Sequence, residues 1–285
     1  MPGEITRRMM VSGAAALVTP SAAIASPSPV RPRRVISLFP CIDAILLRVA
    51  DPEQIAGLSA LAHQSEVSSA AEESRPYPSV RDDAESLLAR RPDLVVVSRY
   101  TAAPTLRALG RAGVATLSIN PQLSVGESLD QVRRVAAAVG YPERGEALVT
   151  RIIEAVSRAE FAGTPVPVLV FQTGGFVAGT GTLIDDMLTR TGFRNMAPHY
   201  GVRDFADLSL EKLVRDPPRL LLAGSPKPGA PGWGDRVLRH PALIALKDRM
   251  RIEPFPQSLL LCGGPVLLQT APKLAAIRRS MEGRS

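Results

Sequence analysis

The stretch Asp82–Val97, DDAESLLARRPDLVVV, decides the fold class. Glu85 to Arg90 reads as a helical turn. Pro92 and Asp93 end it, because proline carries no N–H and disfavours helical backbone before it. Leu94–Val97 follows, continuously apolar and rich in β-branched residues. A strand with one wet face alternates apolar and polar. A run without alternation fits a strand buried on both faces, as in a parallel sheet covered by helices.

Upstream of this unit, Val35-Ile36-Ser37-Leu38 is a short apolar run stopped by Pro40, so a strand, and Cys41 to Val49 has helical periodicity. Gln54 to Leu58 is a second strand. Downstream, Thr105 to Arg111 is helical, Gly113 breaks it, and Val114 to Ile119 is the next strand. Ser124-Val125-Gly126-Glu127 fits a capping box. Val125, Leu129, Val132, Ala136 and Val139 then form one apolar stripe. Gly140-Tyr141-Pro142 interrupts the pattern, Ala147 to Val156 resumes it, and Phe161-Ala162-Gly163 closes it. Taken as one strut, it spans roughly 50–60 Å at 1.5 Å per residue. A second alternating set follows. Val168–Phe171, Leu220–Ala223 and Arg251–Pro254 read as strands. Leu183–Thr191, Trp233–Leu238 and Gly264–Met281 read as helices. Alternating elements predict an α/β fold: two Rossmann-like lobes with mostly parallel sheets, joined by one long backbone helix, with a ligand cleft between the lobes.

The start of the chain reads differently. Thr6-Arg7-Arg8-Met9-Met10 is a charged segment, Val11 to Ala25 is apolar and small, and Ala23-Ile24-Ala25 is a small-residue cleavage pattern. Residues 1–25 are therefore expected to be an export signal of twin-arginine type, a general secretory signal being the alternative. Its removal takes away one acid and two arginines, lowering the net charge from +7 to +6. Residues 26–34, rich in Pro, Ser and Arg, are expected to be a flexible linker. The N-terminal lobe is assigned to 35–122, the interlobe helix to 123–162 and the C-terminal lobe to 163–285.

The 285 residues are 45% hydrophobic and 21% charged, ordinary for a globular chain. Arginines carry the basicity but are scattered. No basic block interleaved with aromatics appears, so a nucleic-acid partner is not expected. No Gly-x-Ser-x-Gly elbow, His-Glu-x-x-His motif or P-loop occurs, and the chain is not expected to be an enzyme.

This layout resembles the helix-hinged binding proteins of ABC importers, the class that carries cobalamin, ferric siderophores, haem or bare metal ions. Arg34–Leu38 with Pro40 and the Ile42–Val49 helix is similar to the family's opening unit, and Asp82–Val97 to its helix, Pro-Asp and buried strand. Ala178–Asn195 (AGTGTLIDDMLTRTGFRN) resembles the second lobe's glycine turn and helix. Leu208–Ala223 (LSLEKLVRDPPRLLLA) repeats the helix, proline and strand. His240-Pro241-Ala242-Leu243 and the final Gly264-Pro265 helix complete the resemblance. It implies a soluble periplasmic protein, monomeric, whose partners are a small-molecule ligand, an ABC permease and its ATPase. It implies no intrinsic cofactor; the ligand is a metal chelate of ferric siderophore, cobalamin or haem type. It also implies that Glu85 and Glu211, one per lobe, pair with permease arginines. On the residues alone they read as acids favouring helix starts. A zinc or manganese carrier and an exported ligand sensor are the alternatives.

In open α/β sheets ligands sit beyond the carboxyl ends of the strands. The loops there offer Phe39 and Cys41 after the first strand, Arg99 and Tyr100 after Leu94–Val97, and Gln172, Gly174 and Phe176 after Val168–Phe171. Ser225 follows Leu220–Ala223. Arg81 and the Tyr77 loop extend the first wall. Arg99 and Tyr100 suit an anionic group and a flat ligand. Gly179-Thr180-Gly181-Thr182 could hold an anion, but Thr182 reads better as a helix cap. Cys41 and Cys262, in opposite halves, leave three readings open: a disulfide, two buried thiols, or thiols facing the ligand. No metal site is assigned. The three histidines, His63, His199 and His240, are too few for a convincing ion cage.

Overall fold

The computed structural model describes residues 31–172, 175–224 and 240–282. The first sheet has strands β1 (Val35–Ser37), β2 (Ile55–Ser59), β3 (Ser79–Val80), β4 (Leu94–Ser98) and β5 (Ala115–Ile119). They are all parallel, in the order β3-β2-β1-β4-β5. Helices α1 (Pro40–Val49), α2 (Ala71–Ser74), α3 (Ala84–Leu88) and α4 (Ala103–Arg111) connect them. The unbroken apolar run of β4 is buried on both faces, as its pattern predicts. Val95 and Val97 pack with Ile36, Leu87 and Leu109 on one side. Leu94 and Val96 pack with Val35, Ile42 and Ile45 on the other.

Two helices follow, α5 (Val125–Ala138) and α6 (Pro142–Ala159). The single strut expected from the periodicity is corrected here. Gly140 takes a left-handed φ of +86°, which ends α5, and Pro142 opens α6 without needing a donor. The two helices pack on each other. Gly145 meets Ala136 so closely that an added Cβ would lie 2.5 Å from the Ala136 Cβ, and Arg133 pairs with Glu146 at 2.9 Å. The longer helix, α6, has 18 residues, about 27 Å at 1.5 Å per residue. The apolar stripe runs on because both helices face one core, so periodicity alone does not reveal the turn between them.

The second sheet contains β6 (Val166–Phe171), β7 (Phe176–Ala178), β8 (Phe193–Asn195), β9 (Phe205–Asp207), β10 (Leu220–Ala223) and β11 (Arg251–Pro254). Its order is β11-β10-β6-β7-β9, with β8 also pairing β6. Strands β8, β10 and β11 run parallel to β6 or to each other, while β7 is antiparallel to β6 and to β9. Helices α7 (Leu183–Arg190), α8 (Leu210–Arg215), α9 (Pro241–Ile244) and α10 (Leu267–Glu282) complete the chain. The helix expected at Trp233–Leu238 lies outside the described residues.

The two lobes share one core. Val35 and Val96 of the first sheet and Val168, Val170 and Leu222 of the second belong to a single apolar cluster with residues of α1, α5, α6 and α10. Cys41 at the start of α1 and Cys262 before α10 form a disulfide across this joint, with Cα atoms 5.1 Å apart. The bridge closes a sequence separation of 221 residues, and closing so long a loop restricts the unfolded chain strongly. Replacing both cysteines by alanine should lower the unfolding free energy by about 2–5 kcal/mol. Urea denaturation of the variant and the parent checks this; equal midpoints would show that the apolar joint alone fixes the stability.

Asp43 is wholly buried on α1, and Ser59 donates to its carboxyl from the backbone N–H (3.1 Å) and the hydroxyl (2.6 Å). Burial pushes its pKa up from 3.8 to about 6, against the opposing bonds from Ser37 and Ser59. Between those two pH values the fold holds a proton that the unfolded chain releases. Its contribution is therefore fully present below about pH 4 and is lost as pH rises through about 6. The loss is on the order of 3 kcal/mol at most. Asp43→Asn should remove that part of the decline, so the stability difference between variant and parent should change between pH 4 and 7. Parallel stability profiles would contradict this account of Asp43.

Candidate functional site

At the carboxyl end of β1 the Phe39 N–H donates to the buried Ser37 hydroxyl at 3.3 Å. This short turn places Phe39 at the cap of α1, where the residue is 39% exposed. β1 lies between β2 and β4, so the strand order switches direction beside it. Such a switch opens a crevice at the strand ends. At the end of β4 the Tyr100 N–H donates to the Ser98 hydroxyl (3.1 Å), and the Ser98 N–H to the Thr101 hydroxyl (3.1 Å). This tight turn holds Arg99 and Tyr100 out from the sheet. The guanidinium lies 5.4 Å from the centre of the Tyr100 ring, and Tyr100 is 70% exposed. Arg81 is exposed too, but Asp83 (3.1 Å) and the Ser86 hydroxyl (3.2 Å) already engage it at the start of α3. The Tyr77 side chain packs half-buried against the core.

In the second lobe the Gln172 N–H donates to the Phe176 carbonyl at 2.8 Å, and Gly175, at φ +91°, donates back to the Gln172 carbonyl at 3.0 Å. This reversal sends β7 back along β6. Gln172 is 8% exposed, and among the described residues neither its side-chain oxygen nor its side-chain nitrogen has a hydrogen-bond partner. Such an orphaned amide is costly, because water has been removed without replacement. Phe176 opens β7 and stacks on Phe205, which opens β9; the centroids are 5.4 Å apart and the planes 5° from parallel. Both rings are substantially exposed, at 40% and 54%. Phe205 escapes the sequence reading. Its signal was a lone aromatic in Val202–Asp207, otherwise mostly polar and too short to read as a strand. Gly174 and Ser225 lie outside the described residues.

Cys41 and Cys262 are buried and bonded to each other, so neither offers a thiol to a ligand. Thr182 caps α7, accepting from the Asp185 N–H at 3.2 Å, and the Asp185 carboxylate accepts from the Gly181 N–H at 3.2 Å. The donors that an anion would use in that turn are thus met from within. Among the described residues no group of three or more His, Cys, Asp or Glu side chains could hold a metal ion. His63 bonds the Ser74 and Tyr77 carbonyls, His199 bonds Asp216, and His240 accepts from the Ala242 N–H as the cap of α9. Glu85 and Glu211 occupy matching places, exposed in the first turns of α3 and α8. The Glu211 carboxyl is held below its usual range by its own backbone N–H and the Ser209 hydroxyl. Among the described residues no helix is long and apolar enough to cross a membrane.

No curated protein matches the chain. Solved structures match over most of it. The periplasmic heme-binding protein RhuT from Roseiflexus sp. RS-1 is 24% identical, with a TM-score of 0.70, covering 87% of this chain and 98% of that one. A periplasmic heme-binding protein from Pseudomonas aeruginosa is 23% identical, with a TM-score of 0.66, covering 86% and 92%. The periplasmic vitamin B12 binding protein BtuF of Vibrio cholerae is 14% identical, with a TM-score of 0.66, covering 89% and 99%. These likenesses show the fold, and their proteins are binding proteins rather than enzymes. The sequence profile described as periplasmic binding protein matches residues 35–249, and the chain belongs to that family.

Proposed function

We propose that the chain is the solute-binding component of an ABC importer, capturing a metal chelate between its two lobes and passing it to the permease. One observation carries this reading. Every Phe or Tyr exposed among the described residues, namely Phe39, Tyr100, Phe176 and Phe205, stands at the strand-end loops or on the short strands beside them. Exposed rings cost hydration free energy unless a ligand covers them. Here they come with Arg99 and with the unpartnered Gln172 amide. A large, flat, partly apolar ligand with anionic groups meets all three. Rings stack on Tyr100 and the Phe176–Phe205 pair, an anionic group meets Arg99, and a polar substituent meets Gln172. Haem combines these features, and several structurally similar proteins bind heme, which supports it as the first ligand to test. Corrinoids and ferric siderophores are the neighbouring choices. Residues 35–122 and 163–285 are the two lobes of this reading and 123–162 their connection. Residues 1–25 direct the protein to the periplasm, where it works as a monomer.

Native mass spectrometry and a visible spectrum of the protein purified from its own periplasm test the ligand class, followed by titration with haemin. We expect saturable haemin binding, weakened about tenfold, or ~1.4 kcal/mol, by Tyr100→Ala. A protein that gains no thermal stability from haemin, cobalamin or a ferric chelate, but does from zinc or manganese, sinks the proposal.

The docking role of Glu85 and Glu211 separates transport from sensing. Glu85→Arg with Glu211→Arg should leave ligand affinity unchanged and reduce uptake by about tenfold or more, through like-charge contact with the permease arginines. Uptake at the parental rate would remove these residues from docking.

A further inference from the structure

Away from the strand-end loops, α6 and α10 lie side by side and form between them an open groove of about 530 Å³. Its floor is apolar, and mostly of small residues. Ala155 and Ala159 line it from α6, and Leu268, Pro272 and Ala275 from α10. Alanines at these positions leave the space open where longer side chains would fill it. Pro272 stands inside α10, a place where proline is costly because it removes a helical hydrogen bond and crowds the preceding turn.

The rim is cationic. Arg151, Arg158 and Arg279 border the groove, with Glu154 as its acid. Glu154 lies 3.8 Å from Arg158. Neither Arg151 nor Arg279 has an ion-pair partner among the described residues. Crowding is evident on one side, where burial and then the Arg151 charge lower the Arg48 pKa. Arg151 and Arg279, neither with an ion-pair partner among the described residues, border one concave space with Arg158 and Glu154, and this net positive rim attracts an anion. The guanidinium fork matches phosphate oxygens, and the uncompensated charge of the rim balances a dianion better than a single carboxylate.

We propose that this groove is a second binding site, for a phosphate ester. The phosphate sits between Arg151 and Arg279, and its carbon portion lies on the Ala155, Ala159 and Pro272 wall. A soluble organic phosphate and the headgroup of a membrane phospholipid share this chemistry.

Calorimetric titration of the purified protein with glycerol 3-phosphate, and with dihexanoylphosphatidic acid below its micellar concentration, tests the site. Flotation with phosphatidylcholine vesicles, with and without phosphatidic acid, adds the membrane arm. The expected result is saturable one-to-one binding of a phosphate ester, weakened at least tenfold by Arg151→Ala with Arg279→Ala. Arg107→Ala, on α4, should leave it unchanged. Ala155→Leu, which fills the groove while keeping every charge, should weaken binding equally and decides the matter if the arginine variant does not fold. Binding of glycerol 3-phosphate identifies a soluble ligand; binding confined to the short-chain lipid and the anionic vesicles identifies a headgroup. The proposal is overturned by the absence of saturable binding to any of these probes. It is equally overturned by a loss in Arg107→Ala as large as in the groove variants, since general positive charge would then explain the binding.

Discussion

Four helices, α1, α5, α6 and α10, pack their apolar faces into one cluster with side chains of both sheets, and the arrangement of the lobes depends on it. Ile45, Val132, Ile152 and Leu274 meet there with Val35 and Val96 from one sheet and Val168 and Leu222 from the other. Each such side chain contributes about 1.5–3 kcal/mol when removed from water. Domains joined by a small polar contact move freely, whereas a large apolar contact holds them. Opening this joint would return apolar surface to water on both sides at once.

Polar and covalent contacts reinforce the same joint. The Cys41–Cys262 bridge ties the start of α1 to the segment before α10. Beside it the Gly264 N–H donates to the buried Ser128 hydroxyl, and a Cβ on Gly263 would collide with that oxygen. Asp186, from α7 of the second lobe, accepts from the Val125 N–H at 2.8 Å and so caps the first turn of α5. Its other oxygen holds Arg190 at 2.8 Å. Because the joint is fixed by packing, a covalent bond and a helix cap together, adaptation to a ligand falls to loops and side chains at the strand ends. Pre-organised lobes of this kind lose little freedom on binding.

Much of the fold was legible because burial leaves a strong pattern. The unbroken run Leu94–Val97, the Leu220–Ala223 run and the stripe from Val125 to Val139 all report faces that must leave water. The Thr182 cap was equally plain, since one hydroxyl and the acids after it satisfy local donors. What pattern did not carry was direction. Val125–Val139 and Ala147–Val156 face a common core, so the apolar register continues through the reversal at Gly140, and a hairpin was read as a strut. The short strands β7, β8 and β9 were also invisible. They have only three residues each, too few for a period of two to show. With β9 unseen, Phe205 had no reason to be linked to Phe176. The cysteines show the same limit: pairing is a matter of distance between residues 221 apart, which no spacing rule supplies.

The chain holds 7 Phe, 4 Tyr and 1 Trp, and so scarce a supply makes their placement informative. Phe171, Phe193 and Phe255 are fully buried, where large rings contribute most. Phe161 and Tyr141 are spent on structure, each beneath an arginine, with Arg278 3.9 Å from one ring and Arg144 3.9 Å from the other. The rings left in water gather where strands end, and two of them stack although the sheet does not require it. Phe176 and Phe205 belong to antiparallel neighbours whose register brings Phe205 opposite Ala178, so their contact is diagonal across the pair. Cross-strand aromatic contacts of this kind stiffen a short edge. A stacked pair is a flat apolar platform built before any ligand arrives. Tyr100 with Arg99 above its ring is a second such platform on the other lobe, with a charge at its edge. A core cannot use rings so placed, and a purely structural surface would favour polar side chains there. Phe39 and Tyr100 follow the carboxyl ends of the parallel strands β1 and β4, and Phe176 follows that of β6, the ends at which open α/β sheets form their crevices.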